Sequence, residues 1–127
     1  MYEVSVRVHF DAAHYLRGYQ GKCENTHGHR FQIVLTVRAD KLDEIGIAFD
    51  FTQLKELARS RVLARYDHVL LNEVEPFTNL NPSSENIAAT IFANMEPELA
   101  RLGVRLQSVQ CWETPEQYAA YVPNEGR

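Results

Sequence analysis

The sequence is poor in cysteine and has no long uncharged stretch. Its two cysteines, Cys23 and Cys111, are too few for a disulfide framework. The longest stretch without a charged side chain covers residues 86–95, well short of the ~20 residues that a membrane-spanning helix needs. Charges at positions such as Glu3 and Arg7 interrupt the apolar segment that a secretory signal requires. We therefore expect a cytoplasmic protein with free thiols and no membrane partner.

An excess of basic charge is also missing. The chain has 13 Lys and Arg residues against 17 Asp and Glu residues, which gives a formal net charge of −4. Sequence-independent binding of nucleic acid needs a basic surface, so we expect no nucleic-acid partner. A few local cations or a metal ion still permit a pocket for an anionic small molecule. The hydrophobic content of 45% is that of a globular protein, and the length fits a single domain over residues 1–127.

The hydrophobic pattern predicts an α+β domain with the order strand, strand, helix, helix, strand, strand. The predicted strands cover residues 2–10, 29–39, 104–113 and 117–122, as two antiparallel pairs. The first helix is predicted over residues 53–65 with Asp50 or Thr52 as its cap. The second should begin at Asn81-Pro82, be kinked or divided at Pro97 and end at Gly103. Four strands cannot close a barrel, so we expect a homo-oligomer that joins sheet edges.

Three of the five histidines fall within a short region. His27 and His29 stand one residue apart where the second strand begins, so their side chains leave the same face of an extended chain. His14 follows the first strand and lies beside them if the two strands pair. Three neutral imidazoles suit Zn²⁺ and leave one position open, although scattered loop histidines are the alternative. Cys23 is then either a fourth, structural ligand or a thiolate that serves as a base or nucleophile.

Other candidate residues each admit two interpretations. Asp67-His68 is an acid–imidazole pair or a charge interaction at a helix end. Glu113 is a solvated strand end or a bidentate acceptor for the N–H edge of a heterocycle. Cys111 alternates with Val109 and indicates a buried core residue, with a fourth ligand of a structural zinc site as the alternative. Three cations near the histidines are solvated or form a phosphate-binding rim: Arg17, Lys22 and Arg30.

Six motifs run through the chain in a fixed order. They are Phe10-Asp11-Ala12-Ala13-His14, Cys23-Glu24-Asn25-Thr26-His27-Gly28-His29, Ala48-Phe49-Asp50-Phe51, Asp67-His68-Val69-Leu70-Leu71-Asn72, Asn81-Pro82-Ser83-Ser84-Glu85-Asn86 and Trp112-Glu113-Thr114. Together they resemble the 6-pyruvoyltetrahydropterin and 6-carboxytetrahydropterin synthase family over nearly the whole chain. The three residues between Cys23 and the His-Gly-His segment resemble the bacterial, carboxy-forming type of the queuosine pathway. A glutamate in place of Cys23 would instead have resembled the type linked to folate synthesis.

The resemblance implies a fold, an assembly and an activity. The fold is the tunnelling fold, in which ββααββ subunits join their edges into an oligomeric β-barrel with the helices outside. The assembly is a homohexamer, a dimer of trimers, with active sites at subunit interfaces. The activity is a zinc-dependent lyase reaction, the 6-carboxy-5,6,7,8-tetrahydropterin synthase conversion of 7,8-dihydroneopterin triphosphate to 6-carboxytetrahydropterin, acetaldehyde and triphosphate. A 6-pyruvoyltetrahydropterin synthase, which eliminates triphosphate without carbon–carbon cleavage, and a non-enzymatic zinc-stabilised interaction domain are the alternatives.

The resemblance also implies a role for each site residue. Carried over by position, zinc ligation falls on His14, His27 and His29, general base catalysis on Cys23, proton relay on Asp67 and His68, and pterin binding on Glu113. In this assignment, zinc polarises the substrate side chain as a Lewis acid while the thiolate removes a carbon-bound proton.

Overall fold

The computed structural model describes residues 1–21 and 24–124 and is built on two long strands. β1 (Tyr2–His14) pairs antiparallel with β2 (His27–Ala39) along the full length of both. The predicted strands are confirmed, but both are longer than expected because burial of alternate residues continues through Ala12 and His14. His14 and His27, which lie between the two predicted strands, therefore belong to β1 and β2, as His29 does.

The strands of the described residues form one sheet of five, in the order β3-β1-β2-β4-β5. β4 (Arg105–Thr114) and β5 (Gln117–Tyr121) form the second predicted hairpin, and β4 also pairs with β2. The pairing of β2 with β4 thus joins the two predicted pairs into one sheet, and the local hydrophobic period does not predict this pairing. β3 (Val69–Leu70) was not predicted, since two residues carry no period, and it runs parallel to β1 at Ala12 and Ala13.

The first predicted helix is confirmed as a continuous helical segment. α1 (Phe51–Ala58) continues through one π-helical turn (Arg59–Leu63) into α2 (Ala64–Tyr66). Asp50 caps α1, since its Oδ1 accepts a hydrogen bond of 2.8 Å from the backbone N–H of Thr52. The segment ends directly before Asp67, which places the Asp67-His68 pair beside the end of β1.

The second helix, α3 (Ser84–Arg101), differs from its prediction at two points. The expected start at Asn81-Pro82 was wrong: Ser83 is the cap, and its Oγ accepts the backbone N–H of Asn86 at 3.1 Å. Of the two outcomes expected at Pro97, a kink or a division, the division was wrong, because α3 runs through Pro97 while Met95 and Leu99 on either side are buried in the core. Gly103 ends the helix as predicted, with a φ of 84°.

The sheet has two chemically different faces. Its inner face packs against the helices and contains Phe10, Phe31 and Leu35, all fully buried. Its outer face is polar, as shown by the side-chain hydrogen bond between Thr36 and Ser5. Because side chains alternate along a strand, His14 and His29 share the inner face while their neighbours Asp11 and Arg30 lie on the outer one. None of the described helices is long and apolar enough to cross a membrane.

Candidate active site

Strand register brings three histidines together on the inner face. His14 is paired with His27 across the two strands, and His29 follows at the next inward position of β2. The ring centroids lie 4.6 Å apart for His14 and His27, 4.8 Å for His27 and His29, and 5.4 Å for His14 and His29. Phe31, the next inward residue of β2, packs edge-on against the rings of His14 and His29.

Backbone carbonyls orient two of these imidazoles. The Nδ1 atom of His14 lies 2.7 Å from the carbonyl oxygen of Pro82, and that of His27 lies 2.7 Å from the carbonyl oxygen of Asn25. A carbonyl only accepts hydrogen bonds, so each Nδ1 carries the proton and each Nε2 keeps its lone pair. Metal-binding histidines are typically held by such a contact at the second ring nitrogen.

Two of the Nε2 atoms are buried without a hydrogen bond among the described residues, those of His14 and His29. Burial lowers the pKa of both imidazoles below the usual histidine value, which favours the neutral form that binds a metal. Buried polar atoms are normally hydrogen-bonded, so two buried ring nitrogens without a hydrogen bond in one cluster indicate a missing partner. The donor set fits a metal ion: His14, His27, His29 and Glu113 offer ligand atoms within 4.8 Å of one another.

Glu113 of β4 joins this cluster from the third strand of the inner face. Its Oε1 lies 3.1 Å from Nε2 of His29, close enough for an ionic contact but without hydrogen-bond alignment. Its Oε2 accepts a hydrogen bond of 3.3 Å from the hydroxyl of Ser84 at the start of α3. A cleft of about 240 Å³ opens beside Glu113 and is also lined by Ser84 and Tyr118. The carboxylate therefore faces both the histidines and a small cleft.

Asp67 and His68 form a second cluster at the outer edge of β1. Asp67 Oδ2 lies 3.0 Å from Nδ1 of His68, while Oδ1 accepts the backbone N–H of Asp11 at 2.9 Å. That backbone hydrogen bond lowers the pKa of Asp67 and keeps it ionised. His68 adopts a φ of 60°, which is unusual for a residue other than glycine, and its imidazole is largely exposed. A strained backbone held by two hydrogen bonds is typical of a functional position.

The second cluster involves the outer face, whereas the histidine cluster lies on the inner one. Asp11 of the outer face holds Arg30 by hydrogen bonds of 2.9 and 3.2 Å, and its backbone anchors Asp67 and His68. Asp11 was not predicted as a site residue, because a cross-strand ion pair is an ordinary feature of a sheet surface. Arg30, one of the three cations expected to be solvated or to form a phosphate-binding rim, is exposed and paired with Asp11. Their place beside the Asp67-His68 pair follows only from the register of β1 and β2.

Several other sequence predictions have plain outcomes. Cys23 and Lys22 lie outside the described residues. Cys111 is fully buried, as predicted, and burial raises the pKa of its thiol to about 12, so it is inert near neutral pH. The guanidinium of Arg17 donates to backbone carbonyls, at 2.8 Å to that of Phe77, so its contacts are structural rather than those of a free phosphate-binding cation.

A cavity of about 590 Å³ lies at the other end of the sheet from the histidines, beside Arg38, Arg105 and Pro97. A shallower cleft of about 530 Å³ runs along the outer face between His68, Arg30 and Ala13. The histidine cluster is the stronger candidate, because it brings three imidazoles and a carboxylate within ligand distance of one another.

Comparison with known proteins identifies the family and agrees with the fold. The sequence model of the family described as 6-pyruvoyl tetrahydropterin synthase matches residues 3–124. The chain is 36% identical to 6-carboxy-5,6,7,8-tetrahydropterin synthase of Bacillus subtilis, covering 98% of this chain and 88% of the relative, and 38% identical to the Synechocystis protein of that name, covering 88% and 86%. The structure of Caenorhabditis elegans 6-pyruvoyl tetrahydropterin synthase superposes with a TM-score of 0.85 at 27% identity, covering 97% of this chain and 96% of that one. The chain belongs to the 6-pyruvoyl tetrahydropterin synthase family.

Proposed function

We propose that this protein is a zinc-dependent 6-carboxy-5,6,7,8-tetrahydropterin synthase of the cytoplasm that acts in queuosine biosynthesis. Its substrates would be 7,8-dihydroneopterin triphosphate and one water molecule, which supplies the additional carboxyl oxygen, and its products 6-carboxytetrahydropterin, acetaldehyde and triphosphate. The observation that carries the proposal is the inward-facing histidine cluster, with two buried Nε2 atoms that make no hydrogen bond among the described residues. The bacterial relatives that share the name support the choice of product.

The three histidines would hold the zinc ion. Their Nδ1 contacts with backbone carbonyls, seen for His14 and His27, leave Nε2 as the coordinating atom. Three neutral imidazoles are the typical donor set of a catalytic zinc site with one open position. When bound, zinc would supply Lewis-acid polarisation of the oxygen atoms on the substrate side chain.

Proton transfer would fall to the remaining site residues. Cys23, four residues before His27, is the proposed general base that removes a carbon-bound proton. His68 would return a proton, since its Nδ1 is held by Asp67 and its Nε2 is left to exchange with the substrate. The ionised Asp67 would stabilise the protonated imidazole during that exchange.

Glu113 would anchor the pterin ring. A carboxylate accepts two parallel hydrogen bonds from an N–H and an adjacent amino group, which is the edge that a pterin presents. The hydroxyl of Ser84 orients Glu113 beside the small cleft, and the stacked aromatic rings of Trp112 and Tyr118 lie on the same hairpin, 4.4 Å apart.

We place the working site between copies of the chain. Within the described residues, the outer edge of β1 pairs with β3 only at Ala12 and Ala13, so most of this long edge is open to another strand. The Asp67-His68 pair lies against Asp11 at that edge, on the side away from His14 and His29. A second copy joined at an edge would bring its own relay pair to the histidine cluster, as in the tunnelling-fold homohexamer.

The test is product formation by the zinc-loaded protein and by matched variants. With 7,8-dihydroneopterin triphosphate as substrate, acetaldehyde is measured by reduction with alcohol dehydrogenase and NADH, and zinc is measured by elemental analysis. Cys23→Ala should keep its metal and fold but lose turnover, whereas His27→Ala should lose the metal. His9→Ala is the control, since His9 is exposed in the middle of β1.

Each alternative has its own outcome. Release of triphosphate without acetaldehyde would identify a 6-pyruvoyltetrahydropterin synthase. A Cys23→Ala protein that loses its zinc and unfolds, together with no turnover by the parent, would identify a zinc-stabilised interaction domain instead of an enzyme.

A further inference from the structure

Two asparagine side chains bind the main chain immediately after His14. Asn72 accepts the backbone N–H of Tyr15 through Oδ1 and donates from Nδ2 to the carbonyl of Tyr15, both at 3.0 Å. Asn81 binds Arg17 with the same two hydrogen bonds: it accepts the backbone N–H at 2.9 Å and donates to the carbonyl at 3.0 Å. Each amide therefore makes the pair of hydrogen bonds that a neighbouring antiparallel strand would make.

These contacts continue the outer edge of β1 beyond its last residue. Earlier on that edge, the backbone N–H of Asp11 donates to the Asp67 side chain, and the Asp11 carbonyl accepts the backbone N–H of His68. β3 then pairs with the next two residues of β1. In an extended chain, main-chain groups facing one edge recur at every second residue. Residues 67–81 thus fasten residues 11–17 along their length, by side-chain amides where no backbone pairing exists.

The segment that holds the main chain after His14 also contacts the His14 ring. Pro82, whose carbonyl orients the His14 imidazole, directly follows Asn81 in the chain. The carbonyl of Asn81 is itself fixed by the side-chain amide of Asn86 at 2.9 Å. Asn81 therefore ties the segment that follows the histidine to the carbonyl that orients its ring. His14 is held between these two attachments.

We propose that Asn81 is a positioning residue of the metal centre. It sets the Pro82 carbonyl against Nδ1 of His14 and so aims Nε2 at the other two histidines, with Asn72 fixing the preceding step at Tyr15. The inference rests on the proposed metal site, but it assigns a role to a residue that touches neither metal nor substrate. Losing a group that orients a metal-binding histidine, as the Pro82 carbonyl orients His14, typically lowers metal affinity by ~10- to 100-fold.

The experiment compares Asn81→Ala with Asn79→Ala, a control with the same substitution at an exposed position two residues earlier. Zinc affinity of the full chain is measured by competition with a chelator of known affinity. Binding of Co²⁺ in place of zinc is followed by visible absorption, which reports the coordination geometry. Asn81→Ala should bind zinc ~10- to 100-fold more weakly and show an altered Co²⁺ spectrum, while Asn79→Ala should match the parent.

A second variant and a stability measurement separate positioning from folding. Asn81→Asp keeps the acceptor for the Arg17 N–H but turns a carboxylate oxygen towards the Arg17 carbonyl in place of the donor, so it should fold and still lose zinc affinity. If Asn81→Ala does not fold, Asn81→Asp alone decides the matter. A lower melting temperature with zinc affinity within threefold of the parent and an unchanged Co²⁺ spectrum would overturn the inference. Failure of the parent to bind zinc would instead overturn the metal centre, and this inference with it.

Discussion

The carboxylate of Glu113 offers a quantitative test of the site. In Glu113→Gln the side chain keeps its length and an oxygen for the Ser84 hydroxyl, 3.3 Å away, but it loses the negative charge. The Glu113 side chain is only 20% exposed, so solvent does little to replace a lost charged hydrogen bond. Such bonds contribute ~1.5–3 kcal/mol. At ~1.4 kcal/mol per factor of ten, kcat/KM for the pterin substrate should fall by ~10- to 150-fold.

The assay must separate substrate binding from metal binding. Zinc content of Glu113→Gln should equal that of the parent, because all three histidines remain, and the loss should appear mainly as a higher KM. Glu116→Gln serves as the control, since Glu116 is exposed in the turn between β4 and β5. A kcat/KM within threefold of the parent would refute the pterin-anchor role. Loss of zinc together with loss of turnover would assign Glu113 to the metal instead.

Three further predictions concern the relay, the core and the assembly. Asp67→Asn removes the negative charge of a carboxylate that the Asp11 N–H keeps ionised. The kcat should therefore fall by ~10²- to 10⁴-fold with zinc retained, and an unchanged kcat would contradict the relay. Phe31→Ala removes a fully buried ring that stacks on Phe10 and supports two histidines, so urea titration should show a loss of ~3–5 kcal/mol in the free energy of unfolding. A loss below ~1 kcal/mol would show that Phe31 is not a core support. Analytical ultracentrifugation should give a multiple of the 14.6 kDa chain mass, whereas a stable monomer at micromolar concentration would contradict joining at the sheet edges.

The fold was predictable where the determinant is local. Alternating burial identifies β1 and β2, and a side-chain cap identifies the start of α1 at Asp50. The start of α3 was missed because Asn81 and Ser83 are both good caps, and the choice depends on Arg17, which is distant in sequence and occupies the Asn81 amide. The pairing of β2 with β4 and the two-residue β3 likewise depend on contacts between distant segments.

The candidate site shows the same division. One residue between His27 and His29 on an extended chain is enough to predict that they share a face, and pairing of the strands adds His14. The carbonyls of Asn25 and Pro82 that orient the rings were not predictable, because every residue has a carbonyl and only the fold selects these two. The position of the relay pair relative to the histidines also depends on the sheet. Asp11 and His14 are three residues apart on β1, so their side chains point to opposite faces.

Because the relay pair and the histidines lie on opposite faces of one chain, a further prediction concerns the assembly, and single variants cannot test it. If Cys23 and His68 of one site come from different copies, subunits of Cys23→Ala and His68→Asn should complement each other when they are unfolded and refolded together. Asparagine suits position 68 because it tolerates the φ of 60° while removing the imidazole. In a 1:1 random mixture, ~25% of the interfaces would contain both native residues, so about a quarter of the parental turnover should return. If each site were built within one chain, every site would lack one of the two groups, and the mixture would stay as inactive as its components.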